Sequence, residues 1–285
     1  MPPTALGLLL AAAALHAGWN LMVKRAREKQ AFTWWALVAG SLCFAPLLAL
    51  RPPLPLWIWP YVLGSALAEV AYFSALTRAY ERGDFALVYP LARGTAPALL
   101  AIWAALFLGE RPSLAGLVGL MVLLTGLLIV GGGAWWAQRG AALPDASGIG
   151  AALAVAWCIS IYSAIDGAAV RLVDPVAYTV SVLGLTAILA APAVLVRYGP
   201  GVLAAEWRTN WPRIVLVGVL TLLGYVLVLR AYAVARVSYA GALREISVVF
   251  AALVGWLWLG ERFGAVRTAG AVLIFAGILL IAIAG

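Results

Sequence analysis

The chain has 285 residues, of which 65% are hydrophobic and only 11% are charged. A soluble globular domain carries about 25% charged residues, so this composition excludes a water-soluble globule and indicates a membrane protein. The net charge of +8 comes from single basic residues between apolar stretches, and without a basic face no nucleic acid is expected as a partner. Cys43 and Cys158 lie far apart in apolar runs, so neither a disulfide nor a metal site is expected.

Ten apolar stretches follow one another along the chain. Each is roughly twenty residues long, enough to cross about 30 Å of hydrocarbon as a helix, and no alternating pattern suits a barrel. We therefore predict an all-α, polytopic membrane protein. The connection formed by residues 197–212 is predicted to lie at the membrane interface. The predicted spans are residues 4–23, 32–50, 57–79, 85–108, 112–134, 147–170, 175–196, 213–233, 238–259 and 264–284.

The sequence contains an internal repeat. Arg78-Ala79-Tyr80 recurs 152 residues later, and Gly109-Glu110-Arg111 recurs 151 residues later. The other matching pairs are Arg93 with Arg244, Gly119 with Gly270, and Gly126 with Gly277. Five spans per copy is an odd number, so the second copy is predicted to cross the membrane inverted, an arrangement typical of transporters. The predicted organisation is a first five-helix repeat over residues 1–137, a linker over 138–146 and a second repeat over 147–285.

The distribution of basic residues predicts an orientation. Loops after odd-numbered spans hold 12 basic residues and loops after even-numbered spans hold 5. Because basic loops favour the cytoplasmic side, both termini are predicted to lie outside.

The repeat and its motifs resemble the drug/metabolite transporter superfamily, in particular its EamA-domain family. Leu108 to Arg111 and Leu259 to Arg262 match that family's repeat-ending motif, and His16 to Asn20 followed by Lys24 is similar to the first span of many bacterial members. The resemblance implies a basket-like bundle whose central cavity is lined by spans one, three, four, six, eight and nine, and which moves small organic solutes by alternating access. Many members place both termini in the cytoplasm, which leaves both orientations open.

Five ionisable residues lie inside apolar spans. A charge at the bilayer centre costs at least about 2.5–3.5 kcal/mol and needs a partner or water, so these residues are candidates for substrate or proton handling. Glu69 and Arg93 lie at similar distances from the connection at residues 81–84, so a salt bridge between them is predicted. Neighbouring residues of a helix do not face each other, so Arg244 is expected to face Asp166 or a substrate carboxylate rather than Glu245. A purely structural ion pair is the alternative.

Polar and aromatic stripes extend this candidate set. His16, Trp19 and Asn20 share one face of the first span, as Tyr162 and Asp166 do on the sixth. Such stripes avoid lipid and can line a pocket or form hydrogen bonds between helices. No catalytic residue is predicted. The predicted substrate-binding residues are His16, Trp19, Asn20, Glu69, Tyr72, Tyr89, Arg93, Trp157, Tyr162, Asp166, Tyr225, Arg244 and Glu245.

The expected function is secondary transport. The sequence has no phosphate loop, no zinc-protease motif and a single histidine, so neither an enzyme nor a cofactor is expected. We expect an exporter of amino acids, metabolites or drugs in the bacterial cytoplasmic (inner) membrane. Its expected partners are the lipid bilayer, a small organic solute with a carboxylate, and a proton where transport is coupled; a monomer and a homodimer both fit. The alternatives are an intramembrane enzyme or flippase for a lipid-linked substrate, and a membrane scaffold or receptor.

Overall fold

The computed structural model describes residues 1–24, 26–82, 85–137, 146–247, 249–250 and 265–284. These residues form helices joined by short turns and contain no strand. The predicted all-α class is therefore confirmed. The helices are α1 (Pro3–Lys24), α2 (Lys29–Phe44), α3 (Trp59–Arg82), α4 (Phe85–Phe107), α5 (Leu114–Ala137), α6 (Ala146–Ala169), α7 (Pro175–Val234), α8 (Val237–Arg244) and α9 (Ala265–Ala284).

Four described helical segments are long and apolar enough to cross a membrane. They are Lys29–Leu50, Leu56–Leu76, Ile149–Ala169 and Pro175–Val234. Shorter apolar helices occur at Ala92–Phe107, Leu114–Val130 and Thr268–Ile283. The predicted ninth span reaches residue 259, beyond the described residues, so the count of ten spans stays a prediction.

The longest helix is broken near its middle. A straight helix of 60 residues would extend about 90 Å, three times the hydrocarbon thickness. Gly199 interrupts α7 with φ 70° and ψ 160°, a conformation that glycine adopts without strain. The break divides α7 into segments that correspond to the predicted seventh and eighth spans. The connection predicted over residues 197–212 is mostly helical, because the chain resumes its helix directly after Gly199, and its place at the membrane interface stays a prediction.

Helices α5 and α9 pack through paired glycines. A methyl group on Gly126 would meet the carbonyl oxygen of Gly270 at 2.7 Å, and one on Gly277 would meet that of Gly119 at 2.6 Å. The two backbones are therefore in direct contact, and the order of the pairs makes the helices antiparallel. The sequence repeat aligns Gly119 with Gly270 and Gly126 with Gly277. A two-fold axis that relates the repeats would therefore convert the Gly119–Gly277 contact into the Gly126–Gly270 contact.

A second close seam joins α2 to the later part of α7. A methyl group on Gly218 would overlap the carbonyl oxygen of Ala36 and lie 2.7 Å from the backbone nitrogen of Gly40. Small residues allow such close backbone approach between membrane helices, where van der Waals packing replaces the hydrophobic effect. Helix α6 packs against α3 and α4, and α1 packs against α7.

The glycine seam gives a stability prediction. We expect Gly218→Ala to lower the unfolding free energy by roughly 1–3 kcal/mol, because the added methyl group must push α2 away from α7. Gly224→Ala on the same helix is the control, since its methyl group would have neighbours only at 3.8 Å and beyond. Thermal unfolding of the purified protein in detergent measures both. Equal melting temperatures for the two variants would contradict the close packing at Gly218.

Candidate functional site

Two guanidinium groups converge on one buried carboxylate. Arg93 on α4 places Nη1 3.3 Å from Oε1 of Glu245, and Arg244 places Nε 3.7 Å from the same oxygen. Glu245 has 1% side-chain exposure, whereas the two arginines keep 13% and 14%. Within the described part of the chain, the other carboxylate oxygen of Glu245 has no hydrogen-bond partner.

This arrangement corrects two predictions about ion pairs. Arg93 pairs with Glu245 from the second half of the chain, not with Glu69 as the helix positions suggested. Arg244 does contact its neighbour Glu245, although adjacent residues inside a helix point apart. The reason is local, since α8 ends at Arg244 and Glu245 occupies the C-cap position in the turn that follows.

His16 extends the charged cluster onto α1. Its Nε2 atom lies 2.8 Å from Nη2 of Arg93. A guanidinium group only donates hydrogen bonds, so Nε2 of His16 must be the acceptor and the imidazole is neutral with its proton on Nδ1. The His16 ring also contacts Trp19 edge to face, with 4.6 Å between ring centroids.

Two further buried acids have hydroxyl partners. Glu69 on α3 contacts the hydroxyl group of Thr186 at 2.9 Å. Asp166 on α6 accepts hydrogen bonds from Tyr178, at 2.9 Å, and from Tyr225. The centre of the bundle therefore combines a cationic group of side chains with two carboxyl groups that contact hydroxyl groups.

The remaining predicted residues divide into near and distant ones. Tyr72 and Tyr162 contact each other edge to face, with 6.2 Å between ring centroids, and Tyr162 is buried. Asn20 is half-buried on α1. Trp157 is 48% exposed and packs against Trp103, apart from the charged groups. The side chain of Tyr89 lies outside the described residues.

Two polar partners were missed by the sequence analysis. Thr186 and Tyr178 both lie on the first part of α7, within an apolar span that the family resemblance does not place at the cavity. Each is buried and bonded to a carboxyl group from another helix. A threonine or tyrosine in an apolar stretch is common, so only the facing acids on α3 and α6 reveal their role.

Comparison with known proteins gives one family and one fold. The sequence profile of the EamA-like transporter family matches residues 3–132 and 146–283. A solved structure, described only as the crystal structure of a protein, is similar over the full length of both chains with a TM-score of 0.78 and 21% sequence identity. At that identity the likeness concerns the fold alone. No curated protein gives a significant match.

The corrected ion pair predicts a specific energetic coupling. We expect Arg93→Gln and Glu245→Gln to couple by roughly 0.5–3 kcal/mol in a double-mutant cycle, because the two charged side chains contact each other at 3.3 Å with little exposure to water. Arg93→Gln combined with Glu69→Gln is the contrasting cycle and should be closer to additive. Thermal unfolding of the wild-type protein, the three single variants and the two double variants in detergent measures both couplings. A larger coupling with Glu69 than with Glu245 would contradict the pairing described above.

Proposed function

Because the chain belongs to the EamA-like transporter family, we propose that it is a secondary transporter that moves a small organic solute with a carboxylate through the centre of its bundle. It is an integral, multi-pass membrane protein, and family membership confirms the resemblance that the two Leu-Gly-Glu-Arg motifs indicated. The residues that support the finer proposal are the shared carboxylate of Glu245 and its two arginines.

The charge balance at Glu245 supports an anionic group on the solute. One carboxylate contacts two guanidinium groups. Arg93, Arg244 and Glu245, here called the ion-pair group, therefore contain one more positive than negative charge. Arg244 keeps 14% side-chain exposure, so part of its guanidinium group is accessible to a solute. A carboxylate is a favourable ligand for a guanidinium fork, because it accepts two parallel charge-assisted hydrogen bonds. A solute carboxylate would thus compete with Glu245 for Arg93 and Arg244.

The second oxygen of Glu245 extends the proposal to amino acids. It is buried and has no hydrogen-bond partner among the described residues. A buried acceptor without a donor is costly, and the ammonium group of an amino acid would supply one. Aromatic rings of Trp19, Tyr72 and Tyr162 lie on the surrounding helices and suit an apolar side chain. We propose amino acids or similar amphiphilic metabolites, exported across the bacterial inner membrane, as the transported class.

A proton count at Glu69 supports coupling to protons. The hydroxyl oxygen of Thr186 lies 2.9 Å from Glu69 and 2.9 Å from the carbonyl oxygen of Val182. A hydroxyl group donates only one proton. When that proton goes to Val182, the contact with Glu69 is a hydrogen bond only if Glu69 itself is protonated. Asp166 differs, since each of its oxygens accepts from a tyrosine. We therefore propose Glu69 as the group that exchanges a proton.

Transport assays test the arginine site. With purified protein in liposomes, we expect counterflow of a radiolabelled amino acid, screened as a panel of apolar and aromatic side chains. Arg93→Gln and Arg244→Gln should each reduce the rate by about tenfold or more, because a charge-assisted hydrogen bond to the solute is lost. Arg208→Gln, which removes an exposed guanidinium group, is the control and should transport normally. Undiminished counterflow in both site variants would refute the site.

A pH gradient tests the proposed role of Glu69. We expect the wild-type protein to accumulate solute when a proton gradient is imposed, and Glu69→Gln to abolish this accumulation while counterflow at equal pH persists. The reason is that glutamine keeps the contact with Thr186 but cannot exchange a proton. Glu206→Gln, at a buried glutamate bonded to Asn210, is the control. Gradient-driven accumulation by Glu69→Gln would contradict the assignment.

A further inference from the structure

Glu110, in the turn between α4 and α5, binds the first residues of the neighbouring helix α8. The last residue of α4 is Phe107, and Gly109 reverses the chain with a φ of 64°, a conformation that favours glycine. This turn directs the Glu110 side chain into the protein, where it has 8% exposure. The Gly-Glu pair of the repeated motif therefore places a buried carboxylate at the end of the bundle where α4 and α5 are joined.

The carboxylate caps the N-terminus of α8. It accepts hydrogen bonds from the backbone nitrogens of Val237, at 2.6 Å, and Ser238, at 3.1 Å, and from the Ser238 hydroxyl at 2.7 Å. Arg236, the residue that precedes α8, contributes no side-chain cap. The first backbone N–H groups of a helix need acceptors, and a negative charge there is favourable. Glu110 supplies this cap from a distant part of the sequence.

The same carboxylate joins a third element. Arg171, in the turn between α6 and α7, places Nη2 2.6 Å from Oε1 of Glu110. Nearby, the backbone nitrogen of Ser113 donates to the hydroxyl of Tyr239 on α8. The α4–α5 turn of the first half is thus tied to two elements of the second half. Ser163 and Tyr232, on the adjoining helices α6 and α7, are fully buried.

We propose that Glu110 is a positioning residue that acts as a latch, closing this end of the bundle and fixing α8, whose other end carries Arg244 and Glu245. Helix α8 has only eight residues, so its cap and the ion-pair site are about 12 Å apart. The proposal rests on the proposed transport function. Passage of a solute at this end requires the Glu110 contacts to Arg171 and to α8 to separate.

Cysteine accessibility tests the latch without any solute. In a background with Cys43→Ser and Cys158→Ala, a cysteine replaces Ser163, six residues before the end of α6. A hydrophilic thiol reagent added to the purified protein in detergent, where it reaches both ends of the bundle, should label this position about tenfold faster or more when Glu110→Gln is present, because charge-assisted hydrogen bonds are weakened. Arg111→Gln, the exposed neighbour in the same turn, is the matched control and should label at the parent rate.

A second variant separates gating from folding. Arg171→Gln removes the bridge between the two turns but leaves the cap on α8, so we expect faster labelling with a preserved melting temperature. Equal labelling rates in the parent, Glu110→Gln and Arg171→Gln proteins would refute the latch, as would a rise that appears only with loss of cooperative thermal unfolding. Since labelling needs no transport, a failed transport assay would refute the proposed function without affecting this result.

Discussion

Hydrocarbon cannot solvate a charge, and this constraint decides where the polar side chains of the bundle lie. Arg93, Arg244 and Glu245 satisfy one another across the two halves of the chain, and His16 accepts from Arg93 on the other side. Removal of Glu245 would take away the carboxylate that both arginines contact, which is costly in a medium of low dielectric. The helices that carry these residues must therefore stay together, and the ion-pair group sets their relative positions.

Other helices are held either by backbone packing or by polar contacts. Between α5 and α9, and between α2 and α7, glycines bring the backbones into direct contact, so a side chain added at these glycines would meet backbone atoms. Such seams resist deformation because close-packed interiors do not yield gradually. Helix α8 is different, since it is short and is held at its start by Glu110 and at its end by the ion pair. Polar contacts can exchange one partner for another, so α8 is the element that can change its contacts most readily.

The repeated Gly-Glu pair shows how a short motif acquires a structural meaning. In sequence, Gly109 and Glu110 mark only the end of an apolar stretch. In the folded chain, the glycine permits the turn. The glutamate reaches Val237 at the N-terminus of α8, which lies 127 residues further along the sequence. The motif is thus a connection between the halves of the molecule as well as the end of a helix.

The sequence alone determined the features of the protein that depend on amino-acid composition, on the internal repeat and on the helical period. Low charge content predicted a helical membrane protein, the repeat indicated the family, and isolated ionisable residues in apolar spans marked Arg93, Arg244, Glu245 and the two buried acids. It also correctly located the ends of most described helices. These properties follow from solvation and from the 3.6-residue period, which a single chain displays without its neighbours.

Only the tertiary structure decided which groups meet. The pairing of Arg93 with Glu245 instead of Glu69, the partners Thr186 and Tyr178, and the cap by Glu110 all join residues that are distant in sequence. Helical period fixes which residues share a face, but it does not fix the rotation or tilt of that face against other helices. The contact between Arg244 and Glu245 depended on where α8 ends. The path of residues 197–212 depended on one glycine, because a single residue with positive φ redirects a helix that otherwise continues.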